Sequence, residues 1–294
     1  MLKKLFFINL LLIFLLPACG KSHHDSVILV GSTSVQPYAD KLAEEFSDLP
    51  ENRGKKVDVQ GGGSSVGIKA AKEGTADIGM SSRELKPEEL ERENGKKLYT
   101  KEIARDGLAI IVHPDNPVED LTVEQLRKIY TEEITSWETL GVTDWKERGW
   151  RDADIHISTR EEGSGTRSAF EDMVMGGERI TNRAIVQDSN GSIRQFVSDD
   201  KRAIGFISLG MVHGDGGQKP VKALMLDGVE ANPDNVLNGS YSLSRPFLFV
   251  LSDGGGAAEP TGNTKVFIDY VLSEEGQDML KKEGLIPISE ENGR

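Results

Sequence analysis

The sequence predicts an α/β protein of two lobes, the first built from both ends of the chain. Three observations predict it. From residue 27 to residue 83, short apolar runs alternate with stretches whose apolar residues recur at helical spacing, the pattern of a mostly parallel sheet covered by helices. Ser/Thr-Gly clusters stand where each run meets a helix: Gly31-Ser32-Thr33-Ser34, Gly61-Gly62-Gly63-Ser64-Ser65 and Gly163-Ser164-Gly165-Thr166. A further apolar strand, Pro246 to Leu251, follows a turn-rich stretch and returns the chain to the first lobe.

The elements follow in order. Val27 to Val30 reads as a strand entering the first cluster, and Val35, Tyr38, Ala39, Leu42, Ala43 and Phe46 then fall on one helical face. Val57-Asp58-Val59 is the second strand. It leads through the second cluster into a helix carrying Val66, Ile68, Ala70 and Ala71, which stops at Gly74. Ala76 to Met80 is a third strand, ending at Ser81-Ser82-Arg83. Leu108 to Val112 leaves the first lobe as a β-branched run. Thr122 and Gln125 form a capping box for a helix whose apolar face is Val123, Leu126, Ile129 and Tyr130. Asp154 to Ser158 feeds the third cluster, and Phe170, Met173 and Val174 line the helix behind it. Ile185-Val186 leads to a fourth helix start, Asp188-Ser189-Asn190-Gly191-Ser192, backed by Ile193, Phe196 and Val197. Ala203 to Ile207 is another strand. After the returning strand, Asp253 to Asn263 is a Gly-rich loop, Val266 to Leu272 is helical, and Ser273 caps a last helix with Glu274 and Glu275 in its first turn. The lobes are expected at residues 27–109 with 247–294, and at 110–246.

The start of the chain is a separate object. Lys3 and Lys4 precede an apolar run from Leu5 to Leu16, broken by Asn9 and too short to span a membrane comfortably. Leu16-Pro17-Ala18-Cys19-Gly20 then resembles the lipobox of a bacterial lipoprotein signal. On that reading residues 1–18 are removed, Cys19 carries the lipid, and residues 19–26 are a tether. An ordinary signal peptide with a chance cysteine, or an uncleaved anchor, are the alternatives. Cys19 is the only cysteine, so the rest of the chain has no thiol for a disulfide, a nucleophile or a thiolate metal site. His23-His24-Asp25 reads as solvated tether, and no metal or cofactor is expected.

The chain of 294 residues is 37% hydrophobic and 28% charged, with a formal net charge of −13. The leader holds two lysines and no acids, so its removal leaves the chain more negative still. That charge argues against nucleic acid and against an anionic membrane surface as partners. It does not exclude a small anion. Surface charges are screened within about 10 Å at moderate salt, whereas a buried oxyanion feels nearby dipoles. The four helix starts supply such dipoles. A helix N-terminus leaves N–H groups unpaired, glycine lets an anion approach the backbone, and Ser or Thr adds hydroxyl donors. In open α/β sheets, ligands bind where strands end and helices begin. Any single cluster is also an ordinary strand-to-helix turn with an N-cap.

Taken together, Gly31-Ser32-Thr33-Ser34-Val35, Gly61 to Ile68, Asp77-Ile78-Gly79-Met80-Ser81-Ser82-Arg83, Arg160 to Thr166, Ala203 to Ser208 and Ser273 to Gln277 resemble the phosphate-binding proteins of ABC transporters. The likeness runs through nearly all of residues 27–290. It implies a type II periplasmic-binding-protein fold, two α/β lobes joined by a two-strand hinge with the ligand in the cleft. It implies an extracytoplasmic, lipid-anchored monomer that passes phosphate to permease subunits driven by their ATPase. Carried over, Ser34 with the amide of Val35 holds one face of the anion, and Ser64 donates from the second helix start. Arg160 supplies the only full positive charge, and Gly165 and Thr166 donate from the third helix start. Glu162 steadies Arg160, while Thr33, Ser65, Ser81 and Ser164 are candidate supporting residues. One position departs from the family. Many members place an aspartate where this chain has Ser82; that carboxylate accepts the proton of hydrogen phosphate and repels sulfate. A serine accepts a proton without the charge, which leaves sulfate- or molybdate-class anions open.

Two other classes are open. Gly63-Ser64-Ser65-Val66-Gly67 matches the G-x-S-x-G elbow of serine hydrolases, with Asp188 and His213 following in hydrolase order. That pentapeptide is common in Gly-Ser loops, and no second signature supports a triad. A surface phosphate sensor or scavenger needs the same pocket as a transporter subunit.

Overall fold

The computed structural model describes residues 26–90, 97–213, 220–252 and 260–288. Cys19, the tether histidines and most of the Gly-rich loop expected at 253–263 lie outside the described residues. Among the described residues no helix is long and apolar enough to cross a membrane.

The first lobe opens with β1 (Ser26–Gly31), α1 (Gln36–Asp48), β2 (Lys56–Gln60), α2 (Ser64–Glu73), β3 (Ile78–Ser81) and the short α3 (Pro87–Leu90). β1 pairs in parallel with β2 on one side and β3 on the other, which is the βαβ arrangement that alternating runs and helices dictate. Helix α2 lies unusually close to this sheet. A Cβ at Gly67 would stand 2.5 Å from the Val30 carbonyl oxygen and 2.7 Å from that of Met80. Only glycine allows that approach, and it fixes where Ser64, the first residue of α2, sits over the strand ends. Gly74 then ends the helix in the left-handed region at φ 71°.

β4 (Leu98–Val112) is a single strand of fifteen residues. The sequence shows only its second half, because Lys101, Glu102 and Arg105 interrupt any apolar run in the first. The second lobe follows with β5 (Asp120–Leu121), α4 (Val123–Tyr130), β6 (His156–Arg160), α5 (Gly165–Phe170), β7 (Ile185–Gln187), α6 (Asn190–Asp199), β8 (Ala203–Ser208), β9 (Lys222–Ala223), β10 (Met225–Leu226) and α7 (Pro233–Leu237). The capping box is present: Thr122 accepts from the Gln125 amide and Gln125 reaches back to the Thr122 amide. β6 begins two residues later than the sequence suggests, because Asp154 instead makes an isolated bridge to Ser136. The shift puts Arg160 at the very end of the strand. β11 (Ser244–Ser252), α8 (Gly262–Val271), α9 (Glu274–Lys282) and β12 (Ile286–Pro287) complete the chain, with Ser273 capping α9 through the Gly276 amide.

The main sheet runs β2-β1-β3-β11-β4-β8-β6-β7. β11 and β4 are antiparallel partners at its centre. Two separate cores flank them. Val27, Leu29, Phe46, Met80, Ile103, Phe247, Phe249, Phe267 and Leu280 belong to one. Leu108 to Val112, Tyr130, Trp137, Phe170 and Phe206 belong to the other, where the rings of Phe170 and Phe206 stack at 4.2 Å. β4 passes from one to the other between Ala104 and Leu108, and the chain entering β11 does so between Leu243 and Phe247. Leu108 and Ala109 pack in the second core, so this crossing falls just before the boundary that the sequence suggests at 109.

Candidate functional site

The four helix starts meet between the two cores. Each follows a strand of the main sheet, and the side chains that they and the end of β3 bring are buried: Ser32, Ser34, Ser64, Ser82, Arg160, Thr166 and Asn190. Polar groups without water must satisfy one another, and the pattern in which they do so defines the site.

Ser34 is its junction. Its hydroxyl oxygen accepts from Asn190 Nδ2 at 2.8 Å and from Arg245 Nη2 at 3.2 Å, and lies 2.7 Å from Thr166 Oγ1. The Asn190 amide is oriented by the Ser208 N–H, which donates to its Oδ1 at 3.1 Å. A hydroxyl has two acceptor lone pairs and one proton. Both lone pairs of Ser34 are taken, so its proton goes to Thr166. The proton of Thr166 is then left to point elsewhere.

A second set lies on the first lobe. Ser34 N donates to Ser32 Oγ, and Ser32 Oγ donates to Ser82 Oγ at 3.0 Å. Ser82 N donates to Ser64 Oγ at 3.1 Å, and the Ser64 and Ser82 hydroxyls are 3.4 Å apart. Two hydroxyl protons share at most one bond there, which leaves at least one free to donate outward. Gly165 opens α5 directly opposite. A Cβ on it would stand 2.1 Å from Ser64 Oγ and 2.6 Å from Ser82 Oγ, so only glycine lets the lobes meet here. Beside it the Ser65 N–H donates to the Gly163 carbonyl at 3.1 Å, a backbone bond between lobes.

Arg160 is 1% exposed. Glu161 grips it in a fork, with Nε and Nη2 donating to the two carboxylate oxygens at 2.9 Å each. The carbonyls of Gln187 and Asp188 accept further bonds, and Nη2 reaches across to Thr33 Oγ1 at 3.1 Å. Nη1 is buried and has no partner among the described residues. Burial pulls the guanidinium below its ordinary pKa, Glu161 opposes this, and the nearby Arg245 adds to it. An arginine nevertheless stays charged. A buried cation with an unmet donor, bonded to the first-lobe loop that also carries Ser34 and its Thr166 partner, suits an oxyanion.

Several residues expected here are placed otherwise. Glu162 does not hold Arg160; it lines a surface cavity with Arg167 and Glu171, and its neighbour Glu161 takes the role. The strand ends at Arg160, so side-chain alternation gives no guide to which glutamate turns inward. Ser65 accepts from Arg83 Nη2, Ser81 bonds within its own turn to Arg83, and Ser164 is the N-cap of α5 through the Arg167 amide. The Val35 amide donates to the Ser32 carbonyl at 3.2 Å. The hydrolase set is not assembled: Ser65 is held by Arg83, Asp188 accepts from Ser192, and His213 lines a different cavity with Glu230 and Lys282.

Sequence reasoning also missed residues. Arg160 is not the only full positive charge, because Arg245 is buried beside Ser34. It pairs with Asp106 through Nε at 3.0 Å and Nη2 at 2.8 Å. The signal was faint: two opposite charges, each bordering an apolar run, on strands that prove to be neighbours. Asn190 was hidden because an asparagine at a helix start is an ordinary cap; here Ser189 caps α6 and Asn190 turns inward.

Comparison with known proteins agrees with this geometry. The PBP superfamily domain matches residues 20–275. The phosphate-binding protein PstS of Bacillus subtilis is 31% identical over 266 residues, covering 90% of this chain and 81% of that protein. This chain belongs to the phosphate-binding protein family. Solved members have the same fold. A putative phosphate ABC transporter substrate-binding protein from Clostridium perfringens, with bound phosphate, is 44% identical with a TM-score of 0.77, covering 90% of this chain and all (100%) of that one. An ABC-type phosphate transport receptor from Vibrio cholerae is 37% identical with a TM-score of 0.67, covering 89% of this chain and 100% of its own.

The junction at Ser34 predicts a stability effect. Ser34→Ala leaves Asn190 Nδ2 buried without its acceptor and should cost about 1–3 kcal/mol. Ser47→Ala, which removes a part-buried hydroxyl bonded to the Ala43 carbonyl in α1, should stay within about 0.5 kcal/mol. Urea unfolding of the two variants checks the difference.

Proposed function

We propose that this protein captures inorganic phosphate between its lobes and delivers it to the permease subunits and ATPase of an ABC importer. The observation that carries the reading is the unmet, buried Nη1 donor of Arg160, whose Nη2 bonds Thr33 across the lobes. The phosphate bound to the Clostridium perfringens relative supports it. In this reading Arg160 supplies charge and planar donors, and Thr166 and the Ser64–Ser82 pair supply hydroxyls. Gly165 and Thr166 add amides at the start of α5, and Ser34 positions Thr166. The cleft opens and closes by bending β4 and β11 where they cross between cores. Binding is the whole task, and no residue is assigned to catalysis.

Titration calorimetry tests this. The native protein should bind phosphate. Arg160→Ala should weaken binding roughly a hundredfold or more, since a buried charge-assisted contact is lost and the Glu161 carboxylate is left without its partner. Near-native affinity in that variant would remove Arg160 from the site. The neutral Ser82 favours a second, broader reading, in which other tetrahedral dianions are tolerated. Ser82→Asp should then widen the preference for phosphate over sulfate, and an unchanged preference would count against it.

The lipobox-like leader supports an extracytoplasmic location with Cys19 as the lipidated N-terminus. Cys19→Ala should move the protein from the membrane fraction to the soluble one. Retention in the membrane would contradict lipid anchoring at Cys19.

A further inference from the structure

The Arg245–Asp106 pair lies where the two central strands cross between cores. The residues are register partners in the antiparallel ladder, so their side chains emerge on the same face of the sheet. Both are buried, with side chains 2% and 0% exposed. Nε and Nη2 of Arg245 are committed to one oxygen of Asp106, Oδ2, while Oδ1 accepts from the Ser208 hydroxyl at 2.9 Å. The guanidinium also sits over the Phe247 ring, 5.5 Å from its centroid. Nη2 continues to Ser34 Oγ, the junction that holds Thr166. Nη1 is buried and has no partner among the described residues.

A brace between two strands does not need an unmet donor. Asp106 gives one oxygen to Ser208 and the other to Nε and Nη2 of Arg245, so neither oxygen meets Nη1. Arg160 repeats the pattern from the second lobe, with its own carboxylate, its bond to residue 33 beside Ser34, and its own unmet Nη1. The two guanidiniums bond adjacent residues, Arg160 Nη2 to Thr33 Oγ1 at 3.1 Å and Arg245 Nη2 to Ser34 Oγ at 3.2 Å, and their like charges oppose one another. Two like charges, each paired with a single carboxylate and each with an unmet buried nitrogen, suit an anion of double charge.

We propose that Arg245 is a second cationic ligand of the anion, reaching it from the floor of the cleft, and that the site thereby suits a doubly charged tetrahedral oxyanion such as hydrogen phosphate. Asp106 is a positioning residue, holding the guanidinium while offsetting part of its charge. This rests on the phosphate-binding reading above. It adds that binding is sensed at the strand crossing itself, because one guanidinium touches the anion, Ser34 and the partner strand together.

Calorimetry with inorganic phosphate on the full mature protein tests the assignment through three variants. Asp106→Asn/Arg245→Met removes both charges together and leaves no buried ion bare; its phosphate affinity should fall roughly tenfold to a hundredfold. Asp106→Asn alone keeps Arg245 and removes only the opposing charge, so affinity should hold or rise. A structural brace gives no such opposite signs. Arg245→Lys keeps an ion pair at the crossing and serves if the double variant does not fold; losing the fork, it should bind roughly fivefold or more weakly. Equal losses in Asp106→Asn and the double variant, or native affinity in Arg245→Lys, would overturn the proposal. Absence of phosphate binding in the native protein would instead overturn the functional reading.

Discussion

Burying the Arg160 guanidinium withdraws an ion from water, and the surrounding structure is arranged around that cost. Glu161 and two carbonyls occupy most of its donors. One nitrogen is left over, and hydrogen-bond counting leaves protons of Thr166 and of the Ser64–Ser82 pair available. The arrangement depends on both lobes. Arg160 and Thr166 come from the second, and Thr33, Ser34, Ser64 and Ser82 from the first. A site divided in this way is complete only when the lobes meet.

Glycine makes the meeting possible. Gly67 lets α2 sink onto the sheet, Gly165 lets α5 face Ser64 and Ser82, and Gly63 lets its backbone meet the Gly163 carbonyl beside them. The motif glycines thus act through close approach as well as through anion access. The serines act in two ways: some carry protons toward the cleft, and others, such as Ser81 and Ser164, shape turns and caps. Composition does not separate those roles, but hydrogen-bond counting at each hydroxyl does.

Much of the fold was legible in the sequence. Apolar runs and helical spacing identified the strands and helices of the first lobe, and the Thr122–Gln125 capping box is present as read. The return of β11 to the first lobe was also legible, because Pro246 to Leu251 is an apolar run that follows a turn-rich stretch. What was not legible depended on tertiary neighbours. The first half of β4 is hidden by charges on its exposed edge. The choice of Glu161 over Glu162 depends on how the chain turns at a strand end. Arg245 and Asp106 are 139 residues apart in sequence and only strand register brings them together.

The central claim is that the unmet nitrogen of Arg160 is where the anion binds. A crystal structure of the phosphate complex tests it most directly. It should place one phosphate oxygen within hydrogen-bond distance of Arg160 Nη1, with Thr166 and the Ser64–Ser82 pair donating to others. Phosphate bound elsewhere, or separated from Arg160 by water, would contradict the account.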